Sequence, residues 1–165
     1  NVASRFHNVY GETFVLPQEH LQEEAKLIPG TDGEKMSKSK NNVIDIFASE
    51  KELKKQIQSI KTDSTALEEP KDWKNCNLFK LYSLIGNVDE INMMKKNYEK
   101  GGYGYGHGKK DLLELILKKY SEERQKYKHY ISNPNEVDEI LINGASKAKL
   151  TADEVLTRVR KKLGY

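Results

Sequence analysis

The sequence predicts a mainly α-helical protein, in which a helical bundle follows a short helix–strand–loop segment. Apolar residues recur at helical spacing from about residue 46 to the end of the chain. The only strand pattern is the apolar run at residues 13–16, and residues 29–42 are rich in turn formers without apolar periodicity. Because a single strand needs neighbouring strands, residues 1–45 are predicted to be the tail of an α/β domain. Residues 46–165 are predicted to form a separate helical domain.

The first 45 residues carry three predicted features. Val2, Phe6 and Val9 have helical spacing, and Gly11 ends that helix. The strand follows and is closed by Pro17, and residues 29–42 are predicted to be an exposed loop. The chain begins without Met and inside the first helix, so we expect it to be part of a longer protein.

The later residues predict a series of helices joined by short loops. Ser49 and Glu52 form a capping-box pattern that opens a helix. Two further helices are predicted to end at Gly86-Asn87 and at Gly101-Gly102. A long fourth helix is predicted to run from Lys109 to Ile131.

Two more helices are predicted before the carboxyl terminus. A short one, around residues 137–142, is expected to stop at Asn143-Gly144. Thr151 and Glu154 form a second capping-box pattern, which predicts the start of a last helix.

Composition limits the classes of function. The chain has 28 basic and 25 acidic residues and a net charge of +3, so any nucleic-acid site must be a local patch. Its single cysteine allows neither an internal disulfide nor a multi-cysteine metal site. The histidines are scattered without ligand spacing, so no metal site is expected: His7, His20, His107 and His129. No apolar stretch is long enough to span a bilayer, and we expect a cytoplasmic protein.

The sharpest motif lies in the predicted loop, at Lys35-Met36-Ser37-Lys38-Ser39. Two lysines three positions apart, with hydroxyl groups beside them, can bring ammonium groups together on a polyphosphate when the loop closes. A flexible linker rich in lysine and serine is the alternative interpretation of the same residues.

The motif spells KMSKS, the signature of class I aminoacyl-tRNA synthetases, and the chain resembles the tryptophanyl-tRNA synthetases from end to end. The other stretches that carry this resemblance are Arg5-Phe6-His7-Asn8, Phe14-Val15-Leu16-Pro17, Pro29-Gly30, Asn42-Val43-Ile44-Asp45-Ile46-Phe47, Thr62-Asp63-Ser64-Thr65, Gly102-Tyr103-Gly104-Tyr105-Gly106-His107 and Val159-Arg160-Lys161-Lys162-Leu163-Gly164. The resemblance implies that residues 1–45 end a Rossmann-like catalytic domain. It implies that residues 46–165 form a helical, anticodon-binding domain.

The resemblance also implies an activity. The full enzyme activates tryptophan with ATP and Mg²⁺ and transfers it to tRNA(Trp). Lys35 and Lys38 would stabilise the departing pyrophosphate, and Ser37 and Ser39 would add hydrogen bonds. Met36 belongs to the same ATP-binding motif. Leu27 and Ile28 match positions on the adenine side, although ordinary core packing explains them equally well.

The family's other signature, of the HIGH type, and the first Rossmann strands are not in this sequence. The resemblance therefore implies that this chain alone binds no tryptophan specifically, makes no adenylate and is inactive. Proteins of this family are dimeric, through contacts that lie mainly in the half that carries the HIGH-type signature. The full-length protein is therefore expected to be a homodimer, and this chain a monomer.

The segment from Gly101 to Gly108 has two interpretations. It lacks the spacing of G-x-G-x-x-G and of a P-loop, so a standard phosphate loop is excluded. One interpretation is a tight connection between helices with tyrosines packed on the bundle. The other is contact with the tRNA backbone through His107, Lys109 and Lys110.

Two other functions fit parts of the sequence less well than a synthetase fragment does. A free-standing helical RNA-binding module would have no use for an isolated strand that leads into a catalytic-type loop. A fragment of a tyrosyl-tRNA synthetase would share the loop, but not the Gly102–His107 stretch or the closing helix.

Overall fold

The computed structural model describes residues 1–20 and 27–165. In these residues the secondary structure is helical, with no strand, which confirms a mainly α protein. The α-helices are α1 (Val2–Tyr10), α2 (Glu50–Gln58), α3 (Asn77–Ser83), α4 (Val88–Lys100), α5 (Tyr105–Lys119), α6 (Ser121–Ser132) and α7 (Pro134–Leu163). A 3₁₀ turn spans Lys38–Lys40.

The chain divides into two compact units. Of the described residues, one unit contains 1–20 and 129–165, and the other contains 27–128. In the second unit, α5 packs against α2 and α3, and α3 packs against α4. The core of this unit includes the fully buried side chains Leu53, Ile57, Ile60, Leu78, Tyr98, Leu112 and Ile116. Each such side chain contributes about 1.5–3 kcal/mol of hydrophobic stabilisation.

The capping box predicted for α2 is confirmed. The Ser49 hydroxyl accepts a hydrogen bond from the backbone N–H of Glu52, and the Glu52 carboxylate accepts one from the backbone N–H of Ser49, each at 3.3 Å. These contacts satisfy backbone donors that the first helical turn leaves unpaired. The helix therefore begins where the sequence indicates.

The prediction of a single long helix from Lys109 to Ile131 is wrong. Helix α5 ends at Lys119, and Tyr120 has φ −104° and ψ 21°, outside the helical range. Helix α6 then begins with Ser121 and two glutamates, and acidic residues favour the start of a helix. The break lets Arg124, which is 9% exposed, donate hydrogen bonds to the carbonyl oxygens of Ile46 and Ala48.

The two helices predicted after residue 134 are also wrong, because they are one continuous helix. Helix α7 starts with Pro134 and continues for 30 residues to Leu163. An isolated glycine costs a helix only about 1 kcal/mol relative to alanine, so Gly144 does not end it. The ion pair between Lys149 and Asp153, at 2.7 Å, spans the predicted start at Thr151. The capping-box pattern there lies inside a helix.

The strand predicted at residues 13–16 is not formed in the structure. The backbone N–H groups of Thr13 and Phe14 donate instead to Nε2 of His7, at 3.2 and 2.9 Å. Phe14 also packs edge-on against Phe6, with ring centres 5.1 Å apart. Without a neighbouring strand to pair with, this segment is held by a side chain of α1.

Among the described residues, no helix is both long and apolar enough to cross a membrane. No three histidine, cysteine, aspartate or glutamate side chains in the same residues come together as ligands for a metal ion.

Candidate functional site

Residues 28–42, here called the lysine loop, fold back on themselves as a small hairpin. Pro29 and Lys35 form an isolated antiparallel bridge. The backbone N–H of Met36 donates to the carbonyl of Ile28 at 2.9 Å. Gly33, at the turn, has φ +88°, a conformation that glycine adopts without a steric penalty. The loop therefore presents its tip from two paired arms.

The four polar residues of the motif lie at the outer part of the lysine loop. Lys35, Lys38 and Ser39 are exposed. The hydroxyl oxygens of Ser37 and Ser39 are 2.8 Å apart, and the 3₁₀ turn of Lys38–Lys40 begins directly after Ser37. The structure thus brings two lysines and two hydroxyl groups onto one short, accessible segment.

The lysine loop is not exposed throughout, and the prediction of an exposed loop is wrong for three residues. Gly30 is buried, Asn42 is 2% exposed and Thr31 is 8% exposed. The Asn42 amide donates to the Asp32 carboxylate at 2.8 Å and to the Lys35 carbonyl at 3.2 Å. Its oxygen accepts from the backbone N–H of Ser37 at 2.8 Å. The hydrogen bond from Asn42 is the main cause that lowers the pKa of Asp32, so this carboxylate is ionised at neutral pH.

Two hydrogen bonds fasten the first arm of the lysine loop to the helices of its own compact unit, here called the helical unit. The side-chain amide of Asn77, the first residue of α3, donates to the carbonyl of Gly30 at 2.9 Å. The backbone N–H of Lys61, which follows α2, donates to the carbonyl of Thr31 at 2.7 Å. Both bonds join residues far apart in sequence, so the sequence pattern contains no signal for them.

Two cavities adjoin the lysine loop, and the apolar residues expected near adenine divide between them. Met36 and Ile28 line an apolar cavity of about 230 Å³ with core residues that include Leu112. Leu27 lines a separate, open cleft of about 540 Å³. The other residues around this cleft are Pro29, Gly33, Trp73, Lys74, Phe79, Lys80, Ser83 and Leu84. Ile28 and Met36 are thus brought together, and Leu27 is not with them.

The tyrosines of the segment after α4 are packed on the helical unit. The rings of Tyr103 and Tyr105 lie 5.5 and 5.9 Å from the ring of the buried Tyr98. The Tyr105 hydroxyl donates to Asp63 at 2.8 Å. Burial raises the pKa of Tyr103 and of Tyr105. These contacts favour a packed connection between helices for the tyrosines.

The three residues proposed to contact tRNA have different surroundings. Nδ1 of His107 accepts a hydrogen bond from the backbone N–H of Gly104 at 3.2 Å, at the start of α5. The ammonium of Lys109 donates to the carbonyl of Gln58 at 2.8 Å, and partial burial lowers its pKa. Lys110 is exposed and lies 3.6 Å from Glu114. Of the two lysines, Lys110 is therefore the exposed one.

The family model for class I tRNA synthetases (W and Y) matches residues 1–121. The chain therefore belongs to the class I tRNA synthetases of this W and Y family. Within that family, its relatives include the tryptophan–tRNA ligase of Campylobacter jejuni, 48% identical over 164 residues, which cover 99% of this chain and 51% of that protein. The tryptophan–tRNA ligase of Fusobacterium nucleatum is 41% identical over 165 residues, with 99% and 50% covered.

A solved structure agrees with the sequence comparison. The crystal structure of Campylobacter jejuni tryptophanyl-tRNA synthetase complexed with ADP and tryptophan superposes with a TM-score of 0.87 at 48% identity, over 99% of this chain and 51% of that one. The resemblance to tryptophanyl-tRNA synthetases inferred from the motifs is thereby confirmed. The chain spans about half the length of these relatives.

Proposed function

We propose that this chain works as the carboxyl-terminal half of a full-length tryptophan–tRNA ligase. The observation that supports this most is that tryptophan–tRNA ligases match 99% of the chain at 41–48% identity. The lysine motif lies within that matched length, on a hairpin fastened to the helical unit. The whole ligase would activate tryptophan with ATP and pass it to tRNA(Trp).

The lysine loop would act on the first step, the formation of tryptophanyl adenylate. The carboxylate oxygen of tryptophan attacks the α-phosphorus of ATP, and the bond from that phosphorus to the bridging oxygen breaks. Negative charge develops on the departing pyrophosphate. The ammonium groups of Lys35 and Lys38 would stabilise that charge, and the Ser37 and Ser39 hydroxyls would donate hydrogen bonds to phosphate oxygens. Mg²⁺ would enter with ATP and would neutralise part of the phosphate charge.

The two parts of the chain would have different tasks. Residues 1–45 would complete the catalytic domain, and residues 46–165 would bind tRNA. The amino-acid site would lie mainly in the other half of the ligase, so this chain alone would be inactive and monomeric. The full-length protein would act in the cytoplasm as a homodimer. The relative crystallised with ADP and tryptophan supports ATP and tryptophan as the substrates.

Amino-acid-dependent ATP–pyrophosphate exchange tests the proposal, because the matching family covers both W and Y enzymes. The assay uses a full-length ligase that carries this chain, with tryptophan or tyrosine, and this chain alone as the control. We expect exchange with tryptophan only, and none with the chain alone. Exchange with tyrosine would assign the chain to the other branch of the family. A folded full-length protein without any exchange would contradict a synthetase.

A second prediction concerns tRNA binding through Lys110. We expect Lys110→Ala to weaken tRNA binding by a few-fold. The slope of the logarithm of the binding constant against the logarithm of the salt concentration should become shallower by about 0.7–0.9, the contribution of one phosphate contact. Filter binding of tRNA to the full-length ligase at several salt concentrations measures both. Lys54→Ala, at an exposed position of α2, is the matched control. An unchanged salt slope for Lys110→Ala would remove this residue from the interface.

A further inference from the structure

We infer that Asn42 is a positioning residue of the lysine loop. Its buried amide fixes the backbone on both sides of Met36, so that Lys35 and Lys38 are presented together to the leaving pyrophosphate. This inference rests on the proposed function for its catalytic consequence. Its structural part can be measured on the chain itself.

The hydrogen bonds of Asn42 show a role that differs from that of an ordinary turn asparagine. A turn asparagine bonds to backbone about two residues away. The Asn42 side chain instead contacts Ser37, Lys35 and Asp32, which lie five, seven and ten positions before it. The side chain therefore joins the turn of the lysine loop, at Asp32, to the second arm and to Ser37 directly after it. The contacts at Lys35 and Ser37 lie on either side of Met36.

The fit around Asn42 is tight as well as polar. A Cβ atom added at Gly30 would lie 2.3 Å from the side-chain Nδ2 of Asn42 and 2.7 Å from the backbone carbonyl oxygen of Asn42. That backbone carbonyl accepts a hydrogen bond from the backbone N–H of Thr31 at 2.9 Å. Burial of an amide without hydrogen bonds costs about 1–3 kcal/mol. Since Asn42 is 2% exposed, its contacts must be kept for the loop to hold this shape.

The foundation of this arrangement is the helical unit. Gly30 and Thr31, which lie against Asn42, are the same residues that accept hydrogen bonds from Asn77 and from Lys61. The hydrogen bonds of the Asn42 side chain to Asp32, Lys35 and Ser37, here called the clasp, thus connect the motif residues to the turn that follows the fastened first arm. Loss of the clasp should release the motif residues and leave the helices in place.

The reciprocal exchange of the two clasp side chains tests the inference. Asn42→Asp keeps the acceptor for the Ser37 N–H but places a carboxylate against the Asp32 carboxylate, so the clasp should open. Misplacement of a reacting group by about 1 Å can cost about 100-fold in rate, and we expect about that loss in the maximal rate of tryptophan-dependent exchange. The KM for tryptophan should not change. Adding Asp32→Asn restores a donor–acceptor pair, and the double variant should return to within about 10-fold of the parent.

Hydrogen exchange on the 165-residue chain reports on the clasp without any activity. In the parent the Ser37 amide should be protected. In Asn42→Asp it should exchange faster, with the amides of Leu53 and Leu112 unchanged. Asn92→Asp, at an exposed position of α4, is the matched control. It should change neither the ATP–pyrophosphate exchange rate of the ligase nor the hydrogen exchange of the Ser37 amide.

Each contrary outcome has a distinct meaning. If Asn42→Asp kept the ATP–pyrophosphate exchange rate of the unsubstituted ligase, the inference would be overturned and the proposed function would stand. The inference would also be overturned if Asp32→Asn did not restore the lost rate, or if hydrogen exchange at Leu53 and Leu112 became faster. In either case Asn42 would support general folding only. A parent ligase without activity would refute the proposed function, and the catalytic consequence of the clasp with it.

Discussion

Lys38→Ala in the full-length ligase is expected to lower the rate of tryptophan-dependent ATP–pyrophosphate exchange by about 100- to 1,000-fold. Removal of one well-placed donor to developing charge costs about 2.7–4 kcal/mol of transition-state stabilisation. Lys38 opens the exposed 3₁₀ turn of the lysine loop, where it could lie against the departing pyrophosphate. The KM for tryptophan should stay nearly constant, because the proposed function puts the tryptophan site mainly in the other half of the ligase.

Lys40→Ala is the matched control for Lys38→Ala. Lys40 is exposed and ends the same 3₁₀ turn, but it lies outside the motif. Its replacement should change the exchange rate by less than a few-fold. Equal losses in the two variants would indicate a general effect of positive charge on the loop, and would contradict a specific role for Lys38.

Gly101→Ala is expected to destabilise the chain by about 2–6 kcal/mol, from backbone strain and overpacking together. Gly101 ends α4 with φ 76° and ψ 175°, a region that costs a residue with a side chain about 1–3 kcal/mol. A Cβ atom there would also lie 2.2 Å from the carbonyl oxygen of Glu68. That oxygen belongs to a turn held by Lys71, whose ammonium donates to the carbonyls of Ala66 and Glu69. Overpacking adds about 1–3 kcal/mol.

Gly102→Ala separates the two causes. Gly102 has the same φ of 76°, but a Cβ atom there would have no neighbour within 4 Å. Its replacement should cost only about 1–3 kcal/mol, from the backbone conformation. Urea unfolding of both variants, followed by circular dichroism at the helical band, measures the difference in the free energy of unfolding. If the two variants lose the same stability, the contact with Glu68 is not the cause.

The sequence predicted the helices whose ends are set by local contacts. Ser49 and Glu52 lie three positions apart and cap α2 as expected. The prediction of two separate helices after residue 134 failed in the exposed helix α7. Gly144 and Thr151 lie within α7, in which the structure buries no residue, so the modest costs of glycine and threonine do not break it. The strand pattern at residues 13–16 failed because pairing is not a property of one segment.

The candidate site divides in the same way. Lys35 and Lys38 are predicted as site residues because their spacing is local and chemically distinctive. Asn42 and Asn77 were not found as site residues, since their contacts reach across 10 and 47 positions of the sequence. An asparagine in a run of turn formers carries no mark of burial, so only the folded arrangement separates it from its neighbour Asn41, which is exposed with φ 53°.

The chain contains a single tryptophan, Trp73, and its position gives the protein an intrinsic optical reporter. The indole lines the cleft that Pro29 and Gly33 also line. The Lys95 ammonium lies 4.4 Å from the ring centre, and the indole N–H donates to Glu99 at 3.0 Å. Emission from an indole depends on nearby charge and water. A shift of the first arm of the lysine loop would therefore change the emission wavelength and intensity of this fluorescence without any attached dye.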